Sequence, residues 1–90
     1  MVKHSIDHEL KCLQPHFDLV AASIKSFELR ENDRDFRTGD IILLREYTEK
    51  GDYTGKECII EVKHILLQHP GLMPGYCMMS CELWNGGIEL

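Results

Sequence analysis

The 90-residue chain has no apolar run near the roughly 18 residues that a bilayer-spanning helix needs. Its first residues, Met-Val-Lys-His-Ser-Ile-Asp-His-Glu, lack the apolar stretch of a secretion signal, so a soluble cytoplasmic protein without a membrane partner is expected. Positive charge is also scarce. Ten Lys and Arg stand against 15 Asp and Glu, a net charge of −5. That balance argues against a broad grip on duplex DNA, which depends on many cationic contacts with phosphate. The four cysteines, Cys12, Cys58, Cys77 and Cys81, include no Cys-x-x-Cys pair. On one strand the α-carbons of Cys77 and Cys81 would lie about 13 Å apart, too far for a disulfide or one tetrahedral metal. No metal and no cofactor is therefore expected, and thiols on apolar alternating stretches act as small buried hydrophobes in a reducing compartment. Repeats, linkers and low-complexity tracts are absent, so residues 1–90 are expected to form one domain with its core in 8–84 and a tail at 85–90.

What is present reads mainly as strands. A short strand is predicted at residues 8–13, followed by a helix whose first turn holds Pro15 and whose inner face carries Leu13, Phe17, Val20, Ala21 and Ile24 at helical spacing. The run Ile-Ile-Leu-Leu-Arg-Glu-Tyr47 suits a strand buried on both faces. Residues 49–55 form a hairpin connection, and Cys58, Ile60, Val62 and Leu66 alternate along the return strand, with His64 at the core edge. Pro70-Gly71 and Pro74-Gly75 bracket a loop, and Cys77, Met79, Cys81 and Leu83 face inward on the last strand. Five or so strands and an early helix point to a small closed or nearly closed barrel.

Residues 25–40 carry the densest chemistry. Alternation puts Phe27 and Leu29 on one face of a short strand and Ser26, Glu28 and Arg30 on the other, so the acid and the base look out together with Lys25 beside them. Four basic and four acidic residues between Lys25 and Arg37 cancel, which favours an ion-pair network or a compact cleft over a phosphate stripe. In the polar loop that follows, Asn32, Asp33 and Gly39 are turn formers and Phe36 is the single apolar anchor. Taken singly, each residue has a plain structural role. Arg30 with Glu28 or Asp33 is a surface ion pair of roughly 0 to 1 kcal/mol. Arg34 and Asp35 close the loop over Phe36, His8 bonds a backbone carbonyl, and Gly39-Asp40 is a turn.

Several segments, in order, resemble the ASCH family of the PUA-like superfamily, in particular its small bacterial and phage members. They are His8-Glu-Leu-Lys11, Lys25-Ser-Phe-Glu-Leu-Arg30, Asn32-Asp-Arg-Asp-Phe36, Gly39-Asp40, Leu44-Arg-Glu-Tyr47, Tyr53-Thr-Gly55 and Gly75-Tyr76. The likeness spans residues 8 to about 82. It implies a mainly β, α+β pseudo-barrel of about five or six strands with one or two short helices, and a cleft between the early helix and the strands that binds RNA or a modified nucleotide. Two departures stand out. Similar proteins carry glycine where this chain has Ser23, which costs about 1 kcal/mol if the backbone there is left-handed. Family members that hydrolyse an acylated cytidine use a lysine at the place of Lys25, a threonine where Glu28 stands and a later glutamate, for which Glu61 is a candidate. A carboxylate can serve as a general base but does not repeat a threonine nucleophile.

The expected ligand site is therefore His8, Lys11, Lys25, Ser26, Glu28, Arg30, Asp33, Arg34, Phe36 and Tyr47. The guanidinium and acid would meet base edges or phosphate, and Phe36 or Tyr47, with Tyr53 nearby, would offer stacking faces. RNA or a modified nucleotide is the expected partner. Hydrolysis of an acylated nucleoside through Lys25 and Glu28 is the alternative, and a protein-interaction role through the hairpin at residues 47–53 or the tail is a third. The tail, Trp84-Asn-Gly-Gly-Ile-Glu-Leu90, is too apolar to be left in water, so Trp84, Ile88 and Leu90 are expected to pack on the barrel or on a second copy in a homodimer.

Overall fold

The computed structural model describes residues 5–88. In chain order it contains β1 (His8–Leu13), α1 (Gln14–Ala21), β2 (Phe27–Glu31), β3 (Ile41–Tyr47), β4 (Tyr53–Leu67) and β5 (Tyr76–Leu83). The five strands form one sheet in the order β1-β3-β4-β5-β2. β1 runs parallel to β3, and the other neighbours are antiparallel. The sheet curls into a half-barrel with one short helix, consistent with the mainly β, α+β pseudo-barrel that the resemblance implies. Among the described residues no helix is long and apolar enough to cross a membrane.

The concave face is built from strand alternation. Leu10 and Cys12 of β1, Ile42 and Leu44 of β3, Ile60 and Val62 of β4, and Cys77, Met79 and Cys81 of β5 are buried together. Phe17 and Val20 of α1 and Phe36 of the loop after β2 complete this core. At about 1.5–3 kcal/mol for each fully buried aliphatic chain, the β3–β4 pair contributes most, since Ile42, Leu44, Ile60 and Val62 are at most 1% exposed. β3 is less thoroughly covered than its apolar run suggests. Ile41 is buried too, but Leu43, Arg45 and Tyr47 on the convex face are only half-buried. In β4 the expected phase fails after Val62, where the pairing with β5 shifts register. An extra residue turns every later side chain to the opposite face. His64 is consequently exposed instead of at the core edge, and Leu66 is exposed while Ile65 packs inward.

α1 has Pro15 in its first turn and is only eight residues long, too short to persist without its packing. Its buried residues are Phe17 and Val20 alone. The wider apolar face expected from spacing is cut off at both ends. Leu13 is the last residue of β1, Ala21 is exposed, and Ile24 lies beyond the helix at 72% exposure. The helix stops in a Schellman turn: the Ile24 N–H donates to Leu19 O at 2.9 Å and the Ser23 N–H to Val20 O at 3.0 Å. Ser23 has φ 60°, the left-handed backbone that glycine would take without strain. The Lys25 N–H also donates to Leu19 O at 3.0 Å, so this turn fixes where β2 begins.

At the other end, the Trp84 N–H donates to Ile59 O at 2.8 Å. The Trp84 ring lies against Gly86, where a Cβ would run into it. Trp84 and Ile88 are half-buried, and Leu90 falls outside the described residues.

Candidate functional site

β2 alternates as predicted but with the opposite sense. Phe27 and Leu29 are 50% and 52% exposed, whereas Glu28 is 3% exposed and Arg30 is half-buried. The neighbouring strand decides this. Glu28 is paired with Met79 and Arg30 with Cys77, and directly opposed residues share a face of the sheet. Met79 and Cys77 are core residues, so the acid and the base turn inward instead of looking out.

β1 and β2 are the two free edges of the sheet, and side chains bridge the seam between them. Arg30 donates from Nε to Glu28 Oε2 at 3.0 Å and from Nη2 to Lys11 O at 3.2 Å. Arg34 Nη1 donates to Glu9 O at 2.8 Å. Arg30 of β2 and Arg34 of the loop after it thus cover carbonyls of β1, which also blunts the edges against pairing with other chains. Arg30 Nη1 keeps no hydrogen bond among the described residues.

Glu28 Oε1 is buried and has no hydrogen-bond partner among the described residues. Removing a carboxylate from water costs several kcal/mol unless it is well paired, and among the described residues this one has a single ion-pair partner. Its field reaches three thiols. Burial pushes Cys81 up to about 12, with Glu28 adding to the rise. Burial likewise raises Cys58 to about 11 and raises Cys12, with Glu28 contributing to both. These thiols stay protonated near neutrality and are poor nucleophiles.

Beside the seam, under α1, runs a groove of about 710 Å³. Lys11, Lys25, Glu28, Arg30 and Tyr47 line it, with His16 from the helix and an apolar wall that includes Leu19, Ile24, Phe27 and Leu29. Lys25 makes no ion pair among the described residues, and its Nζ lies 5.2 Å from the Phe27 ring centroid. Lys11 Nζ lies 5.9 Å from the ring centroids of both Tyr47 and Tyr53. A smaller cavity of about 210 Å³ at the start of β2 is bordered by Lys25, Ser26 and Glu28. Ser26 therefore opens onto that cavity and not onto the groove.

The other expected site residues lie elsewhere. His8 Nε2 pairs with Asp40 Oδ2 at 2.7 Å, a carboxylate and not a backbone carbonyl. Its ring meets Phe36 edge-on with centroids 4.7 Å apart. Phe36 is 4% exposed, so it anchors the loop and gives no stacking face. Asp40 Oδ2 also accepts from the Arg37 N–H at 2.9 Å, which fixes the turn at Gly39, whose φ is 93°. Asp33 is exposed and 4.0 Å from Arg34, and among the described residues Arg30 pairs with Glu28 alone. Arg34 borders a recess beyond Arg30. Sequence reasoning missed the buried Glu46, which accepts from Thr54 Oγ1 at 2.7 Å. The signal was there, because Glu46 is in phase with Ile42 and Leu44. His16 had no such signal. Among the described residues no three His, Cys, Asp or Glu are grouped to hold a metal.

Residues 7–81, from just before β1 to near the end of β5, match the family described as Domain of unknown function (DUF3850). The chain belongs to the DUF3850 family. The matched span contains the whole groove. This DUF3850 chain is also similar to an Escherichia phage P2 protein described as "Uncharacterized 12.9 kDa protein in GpA 3'region", 38% identical over 50 residues. The match takes in 56% of this chain and 45% of the phage protein, so the chain spans less than half of that relative. Among solved structures it resembles a crystal structure of hypothetical protein PH0355, with a TM-score of 0.61 and 17% identity over 86% of this chain and 98% of the other. At that identity the likeness extends to the fold alone.

Proposed function

We propose that this DUF3850 chain is a nucleotide-binding module of the ASCH type, acting in the cytoplasm, whose groove takes unpaired RNA or a modified nucleotide. One observation carries the reading: in a chain of net charge −5, the groove gathers Lys11, Lys25 and Arg30 against a single carboxylate, Glu28. Arg30 already offsets Glu28 at 3.0 Å. The two lysines then leave a local positive excess suited to phosphate, and Tyr47 and the apolar wall suit a base. An excess this compact fits one or two nucleotides, not a long duplex track.

The test is an amide chemical-shift titration of labelled protein with a short single-stranded RNA. Shifts should cluster on Lys11, Lys25, Glu28, Arg30 and Tyr47. Lys25→Gln should weaken binding and reduce the salt slope by about 0.7, the share of one phosphate contact on a single strand. Absence of shifts at millimolar RNA would reject the reading.

A second reading, amide hydrolysis on an acylated nucleoside, draws support from Lys25 and Glu28 bordering both the groove and the smaller cavity. In it Glu28 takes a proton from water, the water oxygen attacks the acyl carbon, and Lys25 stabilises the oxyanion until the C–N bond breaks and the amine leaves protonated. Acylated cytidine incubated with the protein would give free carboxylate and cytidine, and Glu28→Gln would abolish their release.

A further inference from the structure

Arg30 crosses the seam to Lys11 O and divides it into two recesses. On one side is the 710 Å³ groove that Tyr47 borders, and on the other is a recess of about 420 Å³ that Tyr53 borders. Lys11 and Arg30 line both. Tyr47 and Tyr53 are directly opposed in the β3–β4 ladder, and Lys11 Nζ is equidistant from their rings at 5.9 Å. The second recess is cationic as well. Lys11, Arg30 and Arg34 face one carboxylate, Glu9, and Arg45 Nη1 engages that carboxylate at 3.4 Å. Tyr53 is 43% exposed, and the Arg45 guanidinium carbon 3.8 Å from its centroid holds one ring face and so fixes the ring's orientation.

We infer that the seam binds two successive ribonucleotides, with the phosphate that joins them on the Lys11–Arg30 saddle, one base against Tyr47 and the next against Tyr53. This rests on the nucleotide-binding reading above and adds a second subsite to it. Two aromatic platforms separated by one shared cation match the repeat of a single strand, in which stackable bases alternate with charged phosphates. A site for a lone nucleotide would need only the first recess, and would leave Tyr53 and Arg34 with no part in affinity.

The experiment compares each ribonucleoside 5′-monophosphate with the homodinucleotide of the same base that also carries a single phosphate, ApA, CpC, GpG or UpU, by calorimetric or fluorescence titration of the intact chain. For a base that binds, the dinucleotide should bind about tenfold more tightly than the monophosphate, the gain expected from one added base on an aromatic ring. Tyr53→Ala should erase that gain, so that the variant binds dinucleotide no more tightly than monophosphate, while Tyr53→Phe should keep it. Thermal melting of the variants confirms that each remains folded. Equal affinity for monomer and dimer, or a gain that survives Tyr53→Ala, overturns the second subsite while leaving the first intact. If no monophosphate and no dinucleotide binds, the nucleotide-binding reading fails with it.

Discussion

Ser23 tests the fold at the point that positions the groove. Its backbone is left-handed, φ 60°, at the glycine position of a Schellman turn. A side chain in that conformation costs about 1–2 kcal/mol. The Ser23 side chain is exposed and makes no hydrogen bond among the described residues, so Ser23→Gly removes the strain and deletes nothing. Against this, glycine gives the unfolded chain more freedom, worth about 0.4–1 kcal/mol. Taking the middle of each range, the net expectation is a stabilisation of about 0.8 kcal/mol. With an unfolding entropy of about 2.1 cal/mol/K per residue, close to 0.19 kcal/mol/K over the chain, the midpoint should rise by about 3–5 °C. Thermal unfolding followed by far-UV circular dichroism, with denaturant melts at constant m-value, measures it. A destabilising Ser23→Gly would mean that the turn is not left-handed there, and the path of Lys25 into the groove would have to be redrawn.

Two further predictions concern the interior. Arg30→Ala strands the buried Glu28 carboxylate and frees the Lys11 carbonyl, and should cost about 2–3 kcal/mol; the loss should shrink when Glu28→Gln is added, and a loss below about 0.5 kcal/mol by urea unfolding would show that the seam is not held by this pair. Stability should also fall at alkaline pH, because Cys58 and Cys81 keep their protons in the folded chain to about 11 and about 12 while unfolding returns them to an ordinary 9.0. The folded state then binds more protons than the unfolded state above about pH 9, so the stabilisation is complete below that pH and is lost as pH rises through the folded values. Urea midpoints measured from pH 7.5 to 11 should drop, and a Cys58→Ala/Cys81→Ala variant should show a flatter profile; identical profiles would contradict the thiol assignment.

How much was legible in the sequence differs between the fold and the site. Pro15, the 41–47 apolar run and the alternation of Cys77, Met79 and Cys81 were sufficient to set α1, β3 and β5, since each is a local pattern with its own period. Lys11, Lys25, Glu28, Arg30 and Tyr47 were named as one site from sequence, and they do line one groove. His8, Asp33 and Phe36 were grouped with them through the segments that carry the family resemblance and the loop expected beside the cleft. The turn at Gly39 instead carries Phe36 to the His8–Asp40 pair, away from the groove.

Local sequence determined which residues share a face wherever a strand runs without a bulge, because side chains alternate there with a period of two. In β2 and beyond the β4 bulge, tertiary structure alone decided which face is inside. Glu28 and Arg30 turn inward because their partners on β5 are Met79 and Cys77, and His64 turns outward because the β4–β5 register slips by one residue after Val62. The closure of β1 against β2 by Arg30 and Arg34 is likewise a property of the curled sheet, for only its curvature brings edges 19 and 25 residues apart in the chain within reach of a guanidinium.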